Sequence, residues 1–313
     1  MKGLEICRKF YEEYGAPMIE ENFSGIKEKI AVGLFGSGSE CYGYDDEISR
    51  DHDFDAGFCI MLPDESEVDR RTAFLLERAY AKLPDTFMGL KRGKVSAVGG
   101  MRRGVIRTAD FFTDKVGRAD GLLSGNEWFS VPESFLAEAV NGEVFRDDSG
   151  VFTGIREYLS EYPEDVRLKK LAGNLLLAGQ AGQYNYFRCV SRGDTAAAQL
   201  SASEFVNRSI SCVFLLNRRY KPYYKWVFRA LGELPLPEGT ADGLEFLISS
   251  PNDEVSAIRK MKQIEEICAY ISEKLTEQNL SDGKETELER LAYSVNGKIS
   301  DVRLRNEHVL YAV

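Results

Sequence analysis

One stretch constrains the fold more than any other. Between residues 30 and 62 an apolar run (Ile30 to Phe35) ends in the small turn Gly36-Ser37-Gly38-Ser39. After an acidic loop, the triplet Asp51, Asp53 and Asp55 leads into a second apolar run ending at Leu62. Short apolar runs bounded by turn residues read as buried strands. A turn built from Gly and Ser lets the backbone approach an anion closely and offers N–H and hydroxyl donors, which suits phosphate oxygens at Gly36, Ser37, Gly38 and Ser39. Alternation along a strand puts Asp51, Asp53 and Asp55 on one face, and Phe54, Ala56, Phe58, Ile60 and Leu62 on the other. Mg²⁺ prefers hard oxygen ligands and is commonly held by one or two carboxylates together with substrate phosphates. The two features together can therefore hold a triphosphate and its metal.

A Gly-Ser turn after one strand, followed by an Asp-x-Asp at the head of the next, resembles the DNA polymerase beta superfamily of nucleotidyltransferases. The resemblance implies transfer of a nucleoside monophosphate from an NTP, with ATP as the expected nucleotide. It also implies two Mg²⁺ ions held by Asp51 and Asp53, usually with a third carboxylate. Here the chain departs from the pattern. The later strand, Val105-Ile106-Arg107-Thr108-Ala109, carries no carboxylate, so either Asp110 at its end serves or the site is incomplete. Three further stretches are Phe145-Arg146-Asp147-Asp148, Tyr162-Pro163-Glu164-Asp165-Val166 and Arg219-Tyr220-Lys221-Pro222-Tyr223-Tyr224-Lys225-Trp226. Placed after Ser49-Arg50-Asp51-His52-Asp53, they resemble a domain-of-unknown-function family described as nucleotidyltransferase-like with a C-terminal helical domain. That likeness runs from about Ile30 to Gly232.

The whole chain sets limits on partners. With 313 residues, 43% of them hydrophobic, it can bury one large core or two smaller ones. A formal charge of -10 argues against a general nucleic-acid binder, which needs clustered Lys and Arg. The six cysteines are scattered without a Cys-x-x-Cys, and there are two histidines, so neither a zinc site nor a disulfide framework is expected. No apolar run is long enough to span a bilayer and no signal peptide is visible, so a cytoplasmic protein without membrane partners is expected.

Along the chain, helical spacing runs from Leu4 to Tyr14, and Pro17 is expected to break it before a second segment, Met18 to Lys29. The loop Glu40 to Arg50 reads as solvated, with extra charge near a metal site as the alternative. Ser66 to Leu83 reads as an amphipathic helix opened by a Ser/Asp cap. Val95 to Val98 and Val105 to Thr108 read as a hairpin joined through Gly99 to Gly104. Arg102, Arg103 and Arg107 there are either phosphate contacts or solvated charges. From Val131 helical spacing predominates, interrupted between Gly142 and Gly154 and restarted at Pro163. The expected fold is therefore α+β: a small mixed-sheet nucleotidyltransferase-like domain over 1–149, then an α-helical, acceptor-binding domain over 150–313.

In the second part Asn217 to Trp226 interleaves cationic and aromatic side chains in an otherwise acidic chain. Tyr223 and Lys225 are candidate nucleotide contacts, by stacking and by phosphate pairing, against the alternative of a packed interhelix turn. His52, between two aspartates, is turned away from them by alternation and reads as packed or capping. The expected partners are a nucleotide and an unknown small-molecule or protein acceptor. A nucleotide-binding protein of the same fold without turnover is the alternative, and RNA contact at Arg219 to Trp226 a third reading.

Overall fold

The computed structural model describes residues 1–47, 56–92 and 103–313. Its chain falls into two compact units, Met1–Ser160 and Glu161–Val313.

The first unit is built on a four-stranded mixed sheet. Strand β1 (Ala31–Leu34) is central; β2 (Cys59–Leu62) and β6 (Glu143–Asp147) flank it antiparallel, and β5 (Gly104–Arg107) pairs parallel to β2, giving the order β5-β2-β1-β6. All four residues of both β1 and β2 are buried. That is why both read as continuous apolar runs rather than alternating ones. A small hairpin, β3 (Thr86–Phe87) and β4 (Leu90–Lys91), turns at Met88 and Gly89, which have φ of 49° and 82°. Two successive left-handed residues make the turn type that follows strand twist.

Helices α1 (Gly3–Phe10) and α2 (Ala16–Asn22) cover one face, and the packing of Phe10, Tyr11, Ile19, Val32, Phe58, Ile60 and Tyr80 forms the core there. Pro17 does not break the helix. Tyr11–Gly15 forms a wide π turn in which the Ala16 N–H reaches back to the Tyr11 carbonyl, and α2 starts around the proline, whose missing N–H is harmless in a first turn. Helix α3 (Arg70–Ala81) is capped by the Asp69 carboxylate, which accepts from the Thr72 N–H at 2.7 Å. Thr108 and Ala109, expected at the end of the later strand, instead open α4 (Thr108–Val116), whose Phe111 and Phe112 are buried. Short helices α5 (Glu127–Ser130) and α6 (Glu133–Val140) lead to β6, and α7 (Val151–Tyr158) closes the unit. Val95 to Val98 lies outside the described residues.

Tyr80 is a sensitive joint in this unit. Its hydroxyl accepts from the Phe58 N–H at 3.1 Å, and burial pushes its pKa up to about 12. A folded pKa raised above the unfolded value of 10 means the contribution is fully present below pH 10 and is lost as pH rises through 12. The stability gap between wild type and Tyr80→Phe, read by urea unfolding at several pH values, is therefore expected to be flat to pH 10 and to shrink above it. A gap that stays constant to pH 12 would refute this.

The second unit is helical throughout: α8 (Glu164–Ala178), α9 (Phe187–Ser191), α10 (Thr195–Leu216), α11 (Val227–Leu231), α12 (Thr240–Ser249), α13 (Glu254–Glu277), α14 (Leu288–Gly297) and α15 (Val302–Asn306). Helix α8 starts behind Pro163, with Glu164 and Asp165 in its first turn, and is buried on nearly all sides against α10 and α14. Along α13, Ile264, Ile267, Ile271 and Leu275 are buried, whereas Val255 and Ile258 near its start are exposed. Among the described residues, no helix is long and apolar enough to cross a membrane.

Candidate functional site

The Gly36–Ser39 turn leaves the C-terminal end of β1, and its shape is held by a residue 105 positions away. Gly36 has φ +112°, a conformation L side chains rarely adopt. Its N–H donates to Asn141 Oδ1 at 2.8 Å, and Asn141 Nδ2 donates back to the Gly36 carbonyl at 2.7 Å. This two-point clasp satisfies both backbone groups of Gly36. Gly36 is buried, and among the described residues a Cβ built on it would meet nothing within 4 Å. Ser37 and Ser39 are half-buried beside it.

Asn141 is in turn fixed from below. The Arg156 guanidinium donates to the carbonyls of Ala139 (3.1 Å) and Val140 (2.8 Å) and to that of Asn141. It lies over the rings of Phe35 and Phe152, and burial pushes its pKa down to about 10. A cation over aromatic faces, capping the carbonyls at the end of α6, suits a planar guanidinium better than an ammonium. Gly142, with φ +67°, then donates its N–H to the Cys41 carbonyl at 2.9 Å.

The acidic loop is not solvated at its start. Glu40 is 7% exposed and Asp45 is 6% exposed. The Glu40 carboxylate lies against Gly38, where an added Cβ would come within 2.3 Å of Oε1. Oε1 accepts from Arg103 Nη2 at 2.9 Å, and Ser39 Oγ donates to Oε2 at 3.4 Å. Asp45 accepts the Gly3 N–H at 3.0 Å and so ties the loop to the start of α1. The stem of Arg103 crosses the backbone of Gly57, where an added Cβ would meet Cδ at 2.5 Å. Arg103 therefore lies between the turn after β1 and the chain entering β2.

The other expected residues are placed as follows. Asp51 and Asp53 lie outside the described residues. Asp110 is exposed in the first turn of α4, beyond the C-terminal end of β5, and lines a cleft of about 630 Å³ with Asp64, Arg107 and Asp147. Because β5 runs parallel to β2 and antiparallel to the direction of β1, this is the opposite edge of the sheet from the Gly36–Ser39 turn. The strands between the two edges are about 13 Å long at ~3.3 Å per residue. The structure does not bring Asp110 to that turn. Arg107 donates to the Pro63 carbonyl at 2.6 Å and also belongs to the Asp110 edge. Arg102 lies outside the described residues. In the second unit Tyr223 and Lys225 are exposed, with Lys225 Nζ 4.8 Å from the Trp226 ring centroid and the rings of Tyr223 and Tyr224 4.2 Å apart. Among the described residues, no group of three or more His, Cys, Asp or Glu could hold a metal ion.

Residues 128–227 match a family model described as a domain of unknown function, DUF4037. The match covers about a third of the chain and is a similarity over that segment. No curated protein matches the chain. The DUF4037 segment contains Asn141, Gly142 and Arg156, the residues that brace the turn, but not the turn itself. It also contains Tyr223 and Lys225.

Sequence reasoning did not find Asn141, Arg156 or the Glu40–Arg103 pair. An Asn-Gly dipeptide before a short strand was the available signal for the first, since Gly142 must take a left-handed φ. The other two are partners far apart in sequence, and no local pattern announces them.

Proposed function

We propose that this protein is a Mg²⁺-dependent nucleotidyltransferase that moves a nucleoside monophosphate from an NTP to a hydroxyl of a small-molecule or protein acceptor. One observation carries the reading. The Gly36–Ser39 turn leaves β1 at the same edge where the chain, rejoining at Ala56, enters the adjacent antiparallel strand β2, with Gly33 opposite Cys59. A phosphate-compatible turn and the stretch that follows the Asp51 to Asp55 triplet thus share one edge. Asp51 and Asp53 are the residues that would hold the ion, a pair of carboxylates being a usual protein share of a Mg²⁺ shell. When bound, such an ion neutralises charge on the departing pyrophosphate.

A second reading is favoured by the placement of Asp110. Asp110 lies at the far end of the sheet from the turn, and Glu40, beside the turn, is paired with Arg103. A nucleotide-binding protein without turnover fits this arrangement.

The test is isothermal titration of each of the four NTPs, with and without Mg²⁺, on wild type and on the Asp51→Asn, Asp53→Asn double variant. Metal-dependent binding that the double variant loses is the expected result. Absence of binding by wild type for all four would reject both readings, and binding without transfer to any acceptor in a screen would leave the second.

A further inference from the structure

The geometry points to the turn between α10 and α11 as a docking site for single-stranded nucleic acid, with bases stacked on Tyr223 and Tyr224 and phosphates paired to Arg219 and Lys225. The charge of this stretch differs from that of the chain around it. Between Glu204 and Glu233 there are six Lys and Arg and no carboxylate, in a chain of net charge -10. Some of these cations serve the fold itself. Arg208 pairs with Glu204 at 2.7 Å and Arg218 with Glu164 at 3.0 Å, while Lys221 donates to Ser211 Oγ at 2.6 Å and to Asn207 Oδ1 at 3.1 Å. Arg219 and Lys225 are exposed, and no carboxylate of the described residues pairs with either.

The aromatic residues divide in the same way. Tyr220 is buried edge-on against Tyr162, with ring centroids 4.8 Å apart, and Pro222 and Trp226 are buried on either side of Tyr223, Tyr224 and Lys225. Those buried side chains anchor the turn. Tyr223 and Tyr224 are left 48% and 76% exposed, with their centroids 4.2 Å apart. The packed-turn alternative therefore holds for Tyr220 and Trp226 and fails for the two rings between them. A tyrosine face accepts any base, because every base has a π face, and only an unpaired strand leaves its bases free to reach one. The fork of Arg219 meets phosphate at two oxygens and Lys225 meets it as a point charge. Two adjacent rings and two cations fit a ligand in which bases and phosphates alternate. An acidic peptide would use the cations and leave the rings idle. Because the rest of the chain is acidic, binding rests on this local patch and is sensitive to salt.

The measurement is fluorescence anisotropy of short labelled homopolymers, uridylate and adenylate as RNA and thymidylate as DNA, titrated with the full chain at several salt concentrations. Tyr223→Ala and Tyr224→Ala are each expected to weaken binding about tenfold, the loss of one base stack. Tyr224→Phe, which keeps the ring and drops the hydroxyl, should bind as wild type does. The Arg219→Gln, Lys225→Gln double variant should lower the slope of log affinity against log salt by about 1.4, two phosphate contacts at ~0.7 each on a single strand. All four side chains are exposed, so these variants should melt as wild type does. No saturable binding of any strand by wild type at low salt, binding unchanged in both alanine variants, or a mononucleotide that competes as well as the strand each overturns the inference. The Asp51→Asn, Asp53→Asn double variant should bind strands as wild type does. Loss of strand binding in that variant would put the strand at the acidic segment, overturning this inference and leaving the nucleotide reading standing.

Discussion

Gly142→Ala is expected to destabilise the first unit by more than about 3 kcal/mol, the range reached when a left-handed backbone position and a backbone clash fail together. The position has φ +67°, and an added Cβ would sit 2.0 Å from the Leu34 carbonyl oxygen and 2.9 Å from the Phe35 Cα. Neither contact is with a flexible side-chain end, so relief requires β6 to move away from β1. That movement opens the pairing of Leu34 with Glu143 and draws Asn141 off Gly36. Asn141→Ala separates the two parts of the effect. It removes the clasp without the clash, and its cost is expected to be about 1–3 kcal/mol from the two backbone groups of Gly36 left to find other partners. Urea unfolding gives the energies, and amide exchange at Gly36 reports the turn directly. An alanine variant within about 0.5 kcal/mol of wild type would show that this backbone is not constrained as described.

That the fold class was legible and part of the site was not has a physical cause. Continuous apolar runs at Ala31–Leu34 and Cys59–Leu62 are the signature of strands buried on both faces, and the sheet core follows from them. The proline before Glu164 is local chemistry and marked its helix start, whereas the helix expected from Ser66 begins only at Arg70, after the Asp69 cap. Strand β6 escaped because Glu143-Val144-Phe145-Arg146-Asp147 carries charges at three of its five positions and is only half-buried at the sheet edge. Its pairing with β1 depends on partners more than a hundred residues away. Pro17 misled because its cost depends on whether a neighbouring turn can widen, which composition does not reveal. Asp110 was near the right strand but at the wrong end of it, since the helix begins at Thr108 and carries the carboxylate to the far edge. Glu40 and Asp45 looked like loop charges because burial of a carboxylate is decided by a distant guanidinium or N–H, here Arg103 and Gly3.

In the second unit the largest single loss is expected from Lys260→Met. Lys260 is fully buried in α13, yet its ammonium makes no ion pair among the described contacts. It donates to the Ser250 carbonyl at 2.8 Å, to Gln199 Oε1 at 3.0 Å and to Asn252 Oδ1 at 3.0 Å. Those acceptors are linked to one another: Asn252 Nδ2 donates to Gln199 Oε1 at 2.9 Å, and the Tyr186 hydroxyl donates to Asn252 Oδ1 at 2.9 Å. One cation therefore joins α10, the end of α12 and α13. Methionine fills similar space and leaves the three acceptors short of a donor, so a loss of about 2–4 kcal/mol is expected. The exposed neighbour Lys262, changed to Met, should stay within about 0.5 kcal/mol of wild type. Burial lowers the Lys260 pKa below its ordinary 10.5, which fixes the sign of a second effect. Between the lowered folded pKa and 10.5 the unfolded chain holds the proton that the folded chain releases, so this residue's contribution to stability rises with pH through that window. The gap between wild type and Lys260→Met should accordingly widen as pH approaches 10.5, the reverse of the trend expected for Tyr80. A gap that narrows over the same range would mean that the ammonium is more favourably held in the fold than its burial among neutral acceptors implies.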